Sequence, residues 1–178
     1  MTHSQLALNG GSKAKQTPYT REKRYGAEEL KELQEALEQG TLFYAHGTKV
    51  KQLEAEFAEK NGVPYAVTCT SGTAGIHAAL IAVGISPNDE VITSPITDMG
   101  TLSPILYQGA VPIFADLHPH TYTLLPESVE ACITSRTKAI IAVNLAGNAC
   151  DLDALREICD RHKLWLIRSE EHTSELQS

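Results

Sequence analysis

The sequence lacks several patterns that would assign it to common protein classes. Its 178 residues carry 15 lysines and arginines against 22 aspartates and glutamates, a formal net charge of −7, so it has no basic excess for nucleic-acid binding. No apolar stretch is long enough to span a bilayer, and the amino-terminal residues lack the basic start and apolar run of a signal peptide. These absences predict a cytoplasmic protein that binds neither nucleic acid nor membrane.

Cysteine and histidine give no sign of a metal centre. Four cysteines are scattered along the chain without any Cys-x-x-Cys pair: Cys69, Cys132, Cys150 and Cys159. Scattered thiols favour a reduced protein without disulfides. His118 and His120 lie two residues apart, but no cysteine or carboxylate set completes a ligand group. We therefore expect a solvated loop there and no bound metal.

Apolar periodicity predicts an α/β fold. Two amphipathic helices come first, in GAEELKELQEALEQG and TKVKQLEAEFAEKNG, and each ends at a glycine. Five short apolar runs typical of strands follow: YAVTCT, EVITS, VPIFA, KAIIAVN and KLWLI. Helical segments near residues 74–83, 100–107, 126–133 and 152–162 separate them. This alternation, with nearly continuous apolar strands, predicts a mostly parallel sheet with helices on both faces.

A polar, sterically open corner at residues 70–75 joins the run YAVTCT to the helix that follows it. In the corner, Gly72 permits a ligand to approach the backbone, and Ser71 and Thr73 offer hydroxyl donors. The first turn of a helix also has free N–H groups and the positive end of the helix dipole, which suits a phosphate. The same residues fit a plain turn in which Ser71 or Thr70 only caps the helix. The corner lacks GxGxxG, which argues against a Rossmann-type oxidoreductase, and it lacks the P-loop ending.

Asp98 follows the strand run EVITS, within SPITDMGT. Ligands of open α/β sheets bind beyond the carboxyl ends of strands, so a functional carboxylate would suit this position. An aspartate just before a helix is also a common N-cap. The residues alone leave both interpretations open.

Three long stretches occur in order and at close spacing between residues 40 and 167. They read SGTAGIHAALIAVGISPNDEVITSPIT, ILYQGAVPIFADLHPHTYTL and ITSRTKAIIAVNLAGNACDLDAL. Together they resemble the DegT/DnrJ/StrS-type sugar aminotransferases, a branch of the fold-type I pyridoxal-phosphate enzymes. The resemblance implies that residues 41–167 are part of the large domain of such an enzyme, preceded by a helical segment over residues 1–40.

The resemblance implies pyridoxal 5'-phosphate as the cofactor. Its phosphate would be held at the corner by four consecutive residues: Ser71, Gly72, Thr73 and Ala74. Asp98 stands where many family members place an aromatic side chain on the cofactor ring. Because aspartate cannot stack on a ring, the resemblance implies one of two alternatives. Either Met99 or another group covers the cofactor ring, or the ring contacts are altered. Asn144 lies at a strand end and would form a hydrogen bond near the cofactor.

The resemblance places no catalytic residue in this chain. The family pairs the cofactor ring nitrogen with an aspartate just after the strand matching LWLI, where Arg168 and Ser169 stand here. Its Schiff-base lysine lies further downstream, and no lysine present, Lys138 included, has the matching context. We therefore expect the parent protein to be the enzyme and this chain to be an inactive fragment. The strands that would pair with YAVTCT are encoded after residue 167, so we also expect that run to lack partners.

The last segment, RSEEHTSELQS, differs from the rest of the chain because it is uniformly polar directly after a buried strand. It resembles the translation of a short sequencing adapter, so we expect residues 168–178 to be non-native. A natural polar tail is the alternative.

The implied reaction moves an amino group from an amino acid, commonly glutamate, to a keto sugar linked to a nucleotide or to a keto-cyclitol. The resemblance also implies a homodimer. Two alternatives stay open: a non-catalytic regulatory or sensor relative that keeps the phosphate corner, and a pyridoxal-phosphate-dependent sugar dehydratase on the same scaffold. In a dehydratase, histidine commonly replaces the Schiff-base lysine, so the reading frame after residue 167 distinguishes these possibilities.

Overall fold

The structure, a computed structural model, describes residues 6–17 and 25–170. The chain forms two compact units, Met1–Ala66 and Val67–Ser178, and each is described by itself below. The domain bounds expected from the sequence, at residues 40 and 167, stay a prediction.

Among its described residues, the first unit has a short 3-10 turn, Ala7–Asn9, and two α-helices, α1 (Ala27–Glu38) and α2 (Lys49–Asn61). Both helices were predicted from the spacing of their apolar residues. Helix α2 ends at Gly62 with φ 63°, a left-handed conformation that glycine adopts without steric cost. Lys49 connects the two helices through ion pairs with Glu32 and Glu35.

The described part of the second unit contains a four-stranded sheet in which every neighbouring pair of strands is parallel. The strands are β1 (Glu90–Thr93), β2 (Val111–Phe114), β3 (Thr137–Val143) and β4 (Trp165–Ser169). Their order across the sheet is β2-β1-β3-β4. The chain therefore builds the sheet outward from β1, first to one side and then to the other.

Helices cover both faces of this sheet, as predicted. They are α3 (Gly72–Ala82), α4 (Met99–Tyr107), α5 (Pro126–Ala131) and α6 (Leu152–His162), with a 3-10 turn at Leu145–Gly147. One buried cluster joins Val91 of β1 to Leu80 of α3. A second cluster joins Ile92 of β1 to Leu155 of α6. Adjacent strand residues point to opposite faces, so α3 and α4 pack on one face while α5 and α6 pack on the other.

The strand predicted at YAVTCT is wrong for this structure: residues 65–70 form no strand. Tyr65 and Val67 are 86% and 81% exposed. Strands are stabilised by pairing with a neighbour, and no described strand pairs with this run.

Strand β4 extends further than the apolar run KLWLI indicated. It continues through Arg168 and Ser169, which pair with Ala142 and Val143 of β3. Residues 171–178 lie outside the described residues, so the non-native origin of residues 168–178 stays a prediction. Within the described ranges, no helix is long and apolar enough to cross a membrane.

Candidate functional site

The carboxyl ends of the four parallel strands lie at one edge of the sheet. Ligands of open α/β sheets bind at this edge, where the strand order reverses, which here is between β1 and β3. Thr93 ends β1, and its Oγ1 donates a hydrogen bond to the Ile141 carbonyl of β3 at 3.1 Å. The residues that follow these two strands, Asp98 and Asn144 among them, therefore border the crevice in which a ligand is expected.

The corner predicted from sequence forms the amino terminus of α3. Ser71 is the N-cap, and its Oγ accepts a hydrogen bond from the Ala74 N–H at 3.1 Å. Ser71 and Gly72 are exposed, and a Cβ added to Gly72 would meet no heavy atom within 4 Å. The N–H groups of the first helical turn have no partner within the helix. The cap therefore leaves donors and open space for an anion at the same place.

Asp98 is the N-cap of α4. Its Oδ1 accepts a hydrogen bond from the Gly100 N–H at 2.6 Å, and its carbonyl accepts one from the Thr101 N–H at 3.0 Å. The capping interpretation of Asp98 is therefore present in the structure. A role toward a ligand is compatible with it, because the carboxylate is exposed beyond the end of β1.

Gly100 lies where the amino termini of α3 and α4 approach each other. A Cβ built on it would be 2.8 Å from Thr73 Oγ1 and 2.9 Å from Asp98 Oδ1. The amino termini of α3 and α4 thus come close together here, and the Asp98 carboxylate already caps α4. Gly100 was not predicted from the sequence. The available signal was a glycine in the first turn of a predicted helix, where alanine would be the better helix former.

Asn144 follows β3 and is 5% exposed. Its Oδ1 accepts a hydrogen bond from the Cys150 N–H at 2.9 Å, and its Nδ2 donates one to Glu170 at 3.1 Å. Its backbone N–H donates to the Ser169 carbonyl at 3.0 Å. Asn144 therefore fixes the turn before Cys150 and the carboxyl end of β4, while its contact with a cofactor stays a prediction. Ser169, at the position where the resemblance implies an aspartate, is itself buried.

The histidines that could take part in chemistry contact other side chains in the structure. His77 Nε2 lies 2.7 Å from Gln108 Nε2, and its ring packs edge-on against Tyr107. The rings of His118 and His120 lie 5.6 Å apart. Over residues 6–17 and 25–170, no group of three or more histidine, cysteine or acidic side chains is placed to hold a metal ion.

Comparison with known sequences gives a strong match. Residues 23–172 match the model of the DegT/DnrJ/EryC1/StrS aminotransferase family, a span that includes the beginning of segment 168–178. Over 147 residues the chain is 43% identical to the spore coat polysaccharide biosynthesis protein SpsC of Bacillus subtilis (strain 168). That alignment covers 83% of this chain and 37% of SpsC.

Solved structures share the fold. The crystal structure of 3-amino-5-hydroxybenzoic acid (AHBA) synthase is 36% identical, with a TM-score of 0.82 over 84% of this chain and 39% of that one. The structure of NtdA from Bacillus subtilis, with bound cofactor PMP, is 32% identical, with a TM-score of 0.76 over 83% of this chain and 34% of that one. This chain thus spans less than half the length of each of these relatives.

Proposed function

This chain belongs to the DegT/DnrJ/EryC1/StrS aminotransferase family, and from that membership we propose that the whole protein is a pyridoxal-phosphate-dependent aminotransferase. It moves an amino group from an amino acid to a keto sugar linked to a nucleotide or to a keto-cyclitol. The name of SpsC, in polysaccharide biosynthesis, supports a sugar substrate. The PMP bound to NtdA supports the cofactor.

One structural observation carries the proposal: the corner at the amino terminus of α3 fits the cofactor phosphate. Ser71 Oγ accepts a hydrogen bond from Ala74 and retains its own hydrogen to donate to a phosphate oxygen. The first-turn N–H groups and the helix dipole attract the anion. Gly72 leaves the approach open because an added Cβ would meet no heavy atom within 4 Å.

The remaining site residues are assigned to the ring end of the cofactor. Bound pyridoxal phosphate supplies an electron sink when a bond at the α-carbon of the amino donor breaks. Asp98 borders the crevice beside Thr73 and keeps α4 in place through its bond to Gly100. Asn144 holds Cys150 at the carboxyl edge of the sheet, because its Oδ1 accepts the Cys150 N–H, and it is assigned a hydrogen bond near the cofactor.

Proton transfer requires a lysine that we expect in the remainder of the whole protein, because the chain covers 37% of SpsC and none of its own lysines matches the family context. A homodimer and a cytoplasmic location complete the proposal. The homodimer is drawn from the family, and the location is drawn from the scattered cysteines, which favour a reducing compartment.

The uninterrupted genomic reading frame past codon 167 tests this proposal first. We expect it to replace RSEEHTSELQS with an acidic, ED-containing strand end, followed later by a serine-rich loop that carries the lysine. The encoded protein should then transfer an amino group from glutamate to a nucleotide-linked keto sugar, detected by mass spectrometry, and a Lys→Ala variant should not.

Three results would contradict or redirect the proposal. A frame that continues as RSEEHTSELQS would show a natural polar tail and contradict the expected strand end. A frame that lacks the lysine without replacement would favour the non-catalytic regulatory relative. Histidine in place of the lysine would favour the sugar dehydratase.

A further inference from the structure

The absence of a side chain at Gly100 keeps two oxygens of the site in place. A Cβ on Gly100 would lie 2.8 Å from Thr73 Oγ1 and 2.9 Å from Asp98 Oδ1. Nonbonded heavy atoms involving carbon are most favourable near 3.5–4.0 Å, so both contacts would be repulsive. Any side chain at position 100 would push at least one of these oxygens away.

Backbone conformation does not explain this glycine. Gly100 is in the first turn of α4 and is not among the described glycines with positive φ, so alanine can adopt the same backbone. Alanine is also the better helix former. Gly75, in α3, provides the contrast, because a Cβ added there would meet no heavy atom within 4 Å. The close approach of Thr73 and Asp98 is what distinguishes Gly100.

We propose that Gly100 is a positioning residue for the phosphate site. Its N–H donates to Asp98 Oδ1 at 2.6 Å, and its missing side chain leaves room for the Thr73 hydroxyl. It thereby sets how closely the amino terminus of α4 approaches that of α3. The inference rests on the proposed function, because the ligand that Thr73 serves is the cofactor phosphate.

The test uses the full 178-residue chain and pyridoxamine 5'-phosphate, a probe that binds without a covalent bond. Pyridoxamine, which lacks the phosphate, is the matched ligand. We expect Gly100→Ala to weaken binding of pyridoxamine 5'-phosphate at least about tenfold and to leave pyridoxamine binding unchanged in titration calorimetry. Gly75→Ala is the control variant and should bind both ligands like the wild type.

A double-mutant cycle with Thr73 identifies the cause. Thr73→Ala removes the nearer obstacle, so adding Gly100→Ala to it should weaken binding less than adding it to the wild type. Thr73→Ser keeps the Oγ and should keep the full loss. If Gly100→Ala alone fails to fold, the proposal can still be tested. Thr73→Ala and Thr73→Ala/Gly100→Ala are then compared directly.

The outcomes separate this inference from the proposed function. Wild-type chain that binds pyridoxamine 5'-phosphate no better than pyridoxamine would overturn the phosphate site and the inference with it. Wild-type binding that depends on the phosphate but is unaffected by Gly100→Ala would overturn the inference alone. Equal losses from Gly100→Ala in the wild type and in Thr73→Ala would likewise show that Gly100 does not act through Thr73.

Discussion

Single polar residues at the carboxyl edge of the sheet serve the fold and border the candidate site at once. Ser71 and Asp98 each accept a backbone hydrogen bond at the start of a helix, from Ala74 at 3.1 Å and from Gly100 at 2.6 Å. An N-cap contributes about 0.5–2 kcal/mol to stability. Alanine substitution would therefore mix lost capping with lost ligand contact. A substitution that keeps the capping hydrogen bond distinguishes lost capping from lost ligand contact.

Asp98 can be tested in this way. Asp98→Asn keeps an oxygen for the Gly100 N–H, so we expect its free energy of unfolding to stay within about 0.5 kcal/mol of wild type. Asp98→Ala should lose about 1 kcal/mol. In the full-length enzyme, both variants should change cofactor affinity or turnover at least about tenfold. Urea unfolding and cofactor titration measure the two effects, and unchanged affinity and turnover in Asp98→Asn would leave Asp98 as a helix cap alone.

Glu90 lies at the opposite edge of the sheet, at the start of β1, and is 1% exposed. Its carboxylate accepts a hydrogen bond from Thr134 Oγ1 and pairs with Arg136. The Thr134 hydroxyl and then the Arg136 guanidinium lower the pKa of Glu90 below its ordinary value of 4.5. This carboxylate therefore stabilises the folded chain in its ionised form.

The lowered pKa of Glu90 predicts an acid-dependent loss of stability. Its contribution is fully present above about pH 4.5 and is lost as the pH falls through the lowered pKa of the folded state. We expect the free energy of unfolding of Glu90→Gln to fall less over this range than that of the wild type, as measured by urea unfolding at several pH values. Parallel curves for wild type and Glu90→Gln would contradict the prediction.

At the scale of elements, local patterns were sufficient for most helices and strands but not for pairing. Apolar residues at helical spacing predicted α1 and α2, and short apolar runs predicted β1 to β4. The run YAVTCT has the same local character, yet Val67 is 81% exposed, because a strand also requires a neighbour that its own residues do not specify. Local propensity cannot supply that information.

The same limit applies to the candidate site. The corner at Ser71 and the cap at Asp98 were recognisable because each signal lies within a few residues of a helix start. The bonds from Asn144 to Cys150 and Glu170 join a turn to the end of another strand. The approach of Gly100 to Thr73 likewise depends on how two helices pack. Both are tertiary contacts, so sequence spacing gave no indication of them.

Hydrogen exchange tests whether residues 67–70 lie outside the sheet. Their amides should exchange at least about a hundredfold faster than those of the buried residues 139–142 in β3, because exchange from paired strands requires opening of the structure. Mass spectrometry with fragment resolution measures both segments in one sample, so β3 is the internal control. Equal protection of the two segments would show that YAVTCT is paired.

At the scale of the whole molecule, the described part of the chain provides a phosphate corner and a sheet edge, while the proposed reaction also needs a lysine. This chain covers 37% of SpsC and 39% of AHBA synthase, so most of each relative lies outside the match. We propose that the described α/β unit serves binding and orientation of the cofactor. Proton transfer is assigned to the remainder of the proposed enzyme.

This division of roles predicts that the 178-residue chain does not bind pyridoxal phosphate covalently at a defined site. Lys138 lies exposed on β3. No lysine of the chain has the sequence context of the family's Schiff-base lysine. After addition of pyridoxal phosphate and borohydride, mass spectrometry should find at most low labelling spread over several lysines. A stoichiometric adduct on one lysine would contradict the prediction.

Binding of pyridoxamine 5'-phosphate to Ser71→Asp tests the phosphate corner most directly. Aspartate keeps the N-cap of α3 and complements the helix dipole, so the variant should fold with unchanged or higher stability. Its added negative charge should repel the phosphate. We predict that calorimetric titration gives at least about a tenfold loss of affinity for pyridoxamine 5'-phosphate, with unchanged affinity for pyridoxamine. Equal affinity of wild type and Ser71→Asp for pyridoxamine 5'-phosphate would contradict a phosphate site at the amino terminus of α3.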